Sequence, residues 1–127
     1  MQRQVFYPNP NHPKRGTCPV TRINNLVFVS GQLSSDTDGN IIGKKDITIQ
    51  SKKVFNNLED LLKTAGAELT DVAKITAYLV NADDYSNYTQ IRHEFFPENP
   101  PASATVIVKE LINPEFLVEV EAIAVIE

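Results

Sequence analysis

Leu117-Val118-Glu119-Val120-Glu121-Ala122-Ile123-Ala124-Val125-Ile126 is the stretch on which the fold turns. A strand sends alternate side chains to opposite faces. One face then carries Val118, Val120, Ala122, Ala124 and Ile126, and the other carries Leu117, Glu119, Glu121, Ile123 and Val125. Both faces are largely apolar, so both need covering. Two earlier stretches pose the same demand. Leu26-Val27-Phe28-Val29-Ser30, ended by Gly31, is apolar on both sides. In Val72–Val80 the residues Val72, Tyr78 and Val80 share one face, and Ala73, Ile75, Ala77 and Leu79 the other.

Helices lie between these strands. Val54, Leu58, Leu61 and Ala65 recur at spacings of four, three and four, which predicts a helix from about Ile47 to Ala65, with Gly66 at its C′ position. Asp83 or Asp84 can cap a second helix whose stripe runs through Tyr85, Tyr88, Ile91 or Arg92, and Phe95, until Pro97, Pro100 and Pro101 stop it. Thr105–Lys109 reads as a short strand, Pro114 as a turn, and the strands on either side of it as an antiparallel hairpin. Asn24-Asn25 reads as a turn and Ser34–Gly43 as a loop. Residues 8–19 hold four of the eight prolines and should wrap the surface. Strand–helix–strand crossovers favour parallel neighbours, and a mixed sheet with two helices on one face is the natural α+β arrangement.

Two helices cover only one face of such a sheet. An exposed apolar sheet face of this size is an association site, and a closed homo-oligomer whose sheets pack together is the simplest resolution. Glu119 and Glu121 lie on that second face. A carboxylate near an apolar subunit contact is costly to ionise, which is one way to build an acid/base group working near neutral pH. The alternative is an ion pair from either glutamate to a lysine or arginine of a neighbour.

The 127 residues suffice for one domain, taken as 1–127, and 42% hydrophobic with 22% charged residues is an ordinary globular balance. The net charge of −4 disfavours general binding to nucleic acid. A single cysteine, Cys18, excludes an intrachain disulfide and a multi-thiolate metal site. No secretory h-region and no run of about 18 apolar residues is present, so a cytoplasmic protein without a membrane partner is expected. His12 and His93 stand in no metal-binding spacing, and no zinc-deaminase pattern, phosphate-binding glycine loop or nucleophile elbow occurs. Cys18, near Lys14 and Arg15, lacks a placed histidine to make it a nucleophile.

Asn25-Leu26-Val27-Phe28-Val29-Ser30-Gly31-Gln32 resembles the signature that follows the N-terminal segment in the Rid family of reactive-intermediate deaminases. So do Asn57-Leu58 through Ala65-Gly66-Ala67 with Asp71-Val72, Asp83-Asp84-Tyr85, and Val118 through Val125. The resemblance spans nearly the whole chain. It implies a chorismate-mutase-like α+β fold, a mixed six-stranded sheet with two helices on one face, and a homotrimer with three clefts between subunits. It also implies hydrolysis of a small, anionic imine or enamine to a carbonyl compound and ammonia, with no metal or other cofactor.

Glu119 matches the family's water-positioning glutamate, and Ser30 and Gly31 match its V-S-G. The arginine of the P-A-R-S motif, which grips a substrate carboxylate, is replaced: Pro101-Ala102-Ser103-Ala104-Thr105 puts Ser103 in its place. A serine donates one neutral hydrogen bond and supplies no charged fork. The stretch matching G-P-Y-S is Arg15-Gly16-Thr17-Cys18-Pro19, and Thr89 stands for a helix asparagine. Arg15 is the first candidate for a substitute cation, ahead of Lys109 and Arg92. The resemblance thus makes Glu119 catalytic and Ser30, Gly31, Ser103, Thr105, Arg15 and Thr17 substrate-binding. Two other readings compete: the same trimer binding a 2-keto acid or carboxylate without turnover, and, against a trimer charge of about −12, an endoribonuclease or translation inhibitor.

Overall fold

The computed structural model describes residues 2–127. Strands β1 (Arg3–Phe6), β2 (Val20–Ile23) and β3 (Leu26–Gln32) precede helix α1 (Ile47–Thr64); β4 (Val72–Leu79), helix α2 (Tyr85–Phe95), β5 (Ala102–Ile107) and β6 (Val118–Val125) follow. The six strands form one sheet in the order β1-β2-β3-β6-β4-β5. Only β4 and β5 pair in parallel; the other four pairings are antiparallel. This is the expected α+β fold, a mixed six-stranded sheet with two helices.

The last strand sits at the centre, between β3 and β4. Val118, Val120, Ala122 and Ala124 are buried beneath α1, with Val27 and Val29 of β3 and Ile75, Ala77 and Leu79 of β4. The hairpin expected across Pro114 does not form: β5 pairs only with β4, and β4 separates it from β6. The physical reason is burial. Strand β6, with Val118, Val120, Ala122 and Ala124 buried, lies between β3 and β4, and β5, with the exposed Ser103 and Ala104, takes the edge. Strands β1 and β2, which the sequence reading left unassigned, extend the opposite edge through the turn at Asn24, whose φ is +53°.

Helix α1 begins at Asp46, whose carboxylate accepts the Ile49 N–H at 3.0 Å. It ends in a Schellman arrangement: Gly66 (φ +84°) donates to Lys63 O and Ala67 donates to Leu62 O. Its buried side is wider than the predicted stripe, adding Phe55, Leu62 and two polar residues, Gln50 and Ser51. Helix α2 contributes Tyr88 and Ile91, with Tyr88 stacked on Phe55 at 5.9 Å between ring centres. Tyr85 is exposed, and Phe96 joins the core in its place. Neither Asp83 nor Asp84 caps α2 through its side chain; a 3-10 turn over Ala82–Asp84 runs straight in, leaving Asp84 helical instead of extended. Residues 8–19 run over the surface without regular structure, as their prolines require.

Two irregularities position the site. Val72 pairs with Ala124 and Lys74 with Ile123, so β4 carries one extra residue. This bulge turns Val72 into the core and leaves Ala73 exposed, correcting the simple alternation read from the sequence. Val29 pairs with Ala122 and Gln32 with Val120, so β3 bulges at Ser30-Gly31.

Candidate functional site

The sheet face away from α1 alternates with the core. On β6 it presents Glu119, Glu121, Ile123 and Val125; on β3, Leu26 and Phe28. Leu26 pairs with Val125 and Phe28 with Ile123, so four large apolar side chains adjoin in one patch, each 36–41% exposed. Next to this patch the two glutamates and Tyr78 interrupt the apolar surface.

Tyr78 stands directly opposite Glu119 in the β4–β6 ladder, and its hydroxyl donates diagonally to Glu121 Oε1 at 2.5 Å. That bond, joined by burial and the nearby charges of both glutamates, raises the tyrosine above its usual pKa. Glu119 is half-buried and, among the described residues, has no hydrogen-bond or ion-pair partner. Burial chiefly, and the Glu121 charge next, push its carboxyl above the ordinary range. No lysine or arginine of the same chain pairs with either glutamate; among the described residues the one ion pair is Lys44–Glu115, at 3.6 Å on the surface.

The bulge on β3 brings the Gly31 backbone against Glu119. A Cβ there would collide with Glu119 Oε2 and come within 2.9 Å of its Cδ. The absent side chain at Gly31 is therefore space that the carboxylate occupies. Gly31, Tyr78, Glu119 and Glu121 line one side of a shallow hollow of about 220 Å³, and Val108, Glu110 and Leu111, from the segment after β5, line the other. A larger hollow of about 300 Å³ between α1 and α2 is bounded by Lys52, Asn56, Glu94 and Phe95. Its charged side chains, Lys52 and Glu94, are exposed and, among the described residues, free of ion pairs.

The expected site residues are distributed as follows. Ser30 lies beside Gly31; its hydroxyl donates to Cys18 O at 2.6 Å and its N–H to Pro19 O at 2.9 Å, so it ties the proline-rich strap to the bulge. Arg15 and Thr17 lie on that strap, both exposed, and the Thr17 carbonyl accepts from the Tyr7 hydroxyl. Ser103 pairs with Ile75 and Thr105 with Ala77, on the face opposite to Tyr78 and Glu119. One chain thus brings together Ser30, Gly31 and Glu119, and leaves Ser103 and Thr105 on the other side of the edge strand. Thr89 donates within its own helix, to Tyr85 O. Tyr78, Glu110 and Leu111 joined the hollow unforeseen. Tyr78 carried a signal, since a tyrosine in the same parity as lysine and threonine on β4 marks the open face; the loop residues carried none. No group of three or more His, Cys, Asp or Glu able to hold a metal occurs among the described residues.

Residues 13–126 match the family model described as Endoribonuclease L-PSP. A RutC family protein of Pyrococcus abyssi is 39% identical over 103 residues, 81% of this chain and 80% of that one. The 3-aminoacrylate deaminase RutC of Acinetobacter baylyi is 30% identical over 125 residues, 98% of each chain. The crystal structure of a member of the YjgF/YER057c/UK114 family from Mycobacterium tuberculosis is similar with a TM-score of 0.84 and 28% identity, over 98% of this chain and 100% of that one. The family model spans nearly the whole chain, and the solved structure shares its fold, a six-stranded mixed sheet with two helices. On that ground the chain belongs to the Endoribonuclease L-PSP family, also known as the YjgF or Rid family.

Proposed function

We propose that the protein is an enamine/imine deaminase that works at clefts formed where three copies close their open sheet faces together. The observation that carries this reading is Glu119: a half-buried carboxylate with no hydrogen-bond or ion-pair partner among the described residues, held against the Gly31 bulge and raised in pKa by burial. A relative aligned over 98% of the chain bears the name 3-aminoacrylate deaminase, and 3-aminoacrylate is an enamine.

The chemistry needs little more. Protonated Glu119 gives its proton to the enamine carbon, forming the iminium ion, the enamine's conjugate acid, whose carbon is electrophilic, and leaving Glu119 ionised. Glu119 takes a proton from a water as the new C–O bond forms, giving a carbinolamine. It then returns a proton to the nitrogen, the C–N bond breaks, ammonia leaves, and the hydroxyl proton passes to the carboxylate as the carbonyl forms. A carboxylate whose pKa burial raises above its ordinary range serves as acid as well as base. Tyr78 holds Glu121 by its hydroxyl, which keeps the second carboxylate apart from Glu119. In the assembled cleft Ser103 and Thr105, on the edge strand, are contributions of a neighbouring copy. The apolar patch of Leu26, Phe28, Ile123 and Val125 supplies the contact.

The test is ammonia release from enamines and imines made in situ. Wild type should accelerate release over buffer, and Glu119→Gln should abolish most of that acceleration. No acceleration with any such compound ends the proposal.

A further inference from the structure

The hollow beside Glu119 has a charge that constrains what enters it. Three of its lining side chains are carboxylates, Glu110, Glu119 and Glu121, and none is basic. The rest of the wall that this chain itself supplies is Gly31, Tyr78, Val108 and Leu111. Ile112, next along the chain, is 86% exposed. Arg15, the cation expected to compensate, is exposed on the strap and makes no hydrogen bond or ion pair among the described residues. Lys109 is exposed too and does not line the hollow.

We infer that the preferred substrate is an imine or enamine without a carboxylate, presenting a cationic iminium nitrogen to the glutamates and an apolar substituent to Val108 and Leu111. This rests on the deaminase reading above and names its substrate class. Two physical effects act in one direction. A substrate carboxylate brought among three like charges in a partly desolvated hollow is repelled. An iminium there is stabilised, so the bound imine stays protonated at a higher pH than in water, and the protonated form is the one water attacks. The reaction is the hydrolysis already written: R–CH=NH2+ and water give the aldehyde and ammonium.

The experiment compares two imines with the same side chain. An amino-acid oxidase makes the 2-imino acid from leucine, and an amine oxidase makes the carboxylate-free imine from isoamylamine. Each enzymatic rate is divided by the spontaneous hydrolysis rate of the same imine. The carboxylate-free imine should show a kcat/KM at least about tenfold higher, and added salt should narrow the gap. The exposed Glu110 allows a second readout: Glu110→Lys should shift the ratio toward the 2-imino acid by about tenfold, a change that a merely structural role would not produce. Equal or greater activity on the 2-imino acid overturns the inference, points to a cation from a neighbouring copy, and leaves the deaminase reading standing. Inactivity on both overturns the two together.

Discussion

Glu119 and Gly31 form a unit, because the glycine exists as room for the carboxylate. Gly31→Ala should push the carboxyl out of place and lower kcat by about 10- to 100-fold, since a displacement of about 1 Å in a reacting group is that costly. Its stability, read by urea unfolding, should fall by less than about 1 kcal/mol, because the colliding atoms end a flexible side chain. Glu119→Gln should cost about 100- to 10,000-fold in kcat/KM. In the wild type the rate should rise with pH through a value above the ordinary carboxylate range, then level off, and the Gln variant should lack that rise. The same raised pKa has a consequence for stability. Burial opposes the ionised form in the folded state, so the penalty is absent at low pH, where Glu119 is protonated in both states, and appears as pH rises from the unfolded pKa to the folded one. Glu119→Gln should therefore melt up to a few degrees above wild type at pH 7 and level with it in acid, in a calorimetric pH series.

At the scale of elements, the buried polar residue Gln50 links α1 to the segment that enters β6. Its Nε2 donates to Gly43 O at 3.1 Å and Glu115 O at 3.0 Å, and its Oε1 accepts from Leu117 N–H at 2.8 Å. These bonds hold the chain two residues before Glu119. Gln50→Leu keeps the volume and strands the Leu117 N–H and the Glu115 carbonyl, which should cost about 2–3 kcal/mol in urea unfolding. The stripe that predicted α1 found Val54 and Leu58 but missed Gln50, because a glutamine shows no periodicity that marks it as buried. Its partners are 65 and 67 positions away in the chain.

At the scale of the whole molecule, the proposed assembly rests on the open sheet face. Leu26, Phe28, Ile123 and Val125 remain 36–41% exposed on the single chain. Phe28→Glu places a charge in the middle of that patch on a residue outside the core. Sedimentation velocity should show a trimer becoming a folded single chain, with a weakening of association of at least about 100-fold, and deaminase activity should fall with it. A wild-type protein that sediments as a stable single chain would remove the shared cleft.

Several features follow from local chemistry and were readable in the sequence. The alternation in Val118–Val125, the Gly66 helix end, the proline-rich strap and the presence of Glu119 on the open face each depend on residues close in the chain, where sterics and side-chain period act directly. Strand order does not. Placing β6 between β3 and β4, and β5 at the edge, compares the burial of whole strands that lie far apart in sequence. The two bulges, the turn of Val72 into the core and the meeting of Gly31, Tyr78 and Glu110 around Glu119 depend on that order. The sequence alone therefore determined which residues are candidates for the proposed chemistry. Only the tertiary structure decided which of them share a face, because that is set by register between distant strands.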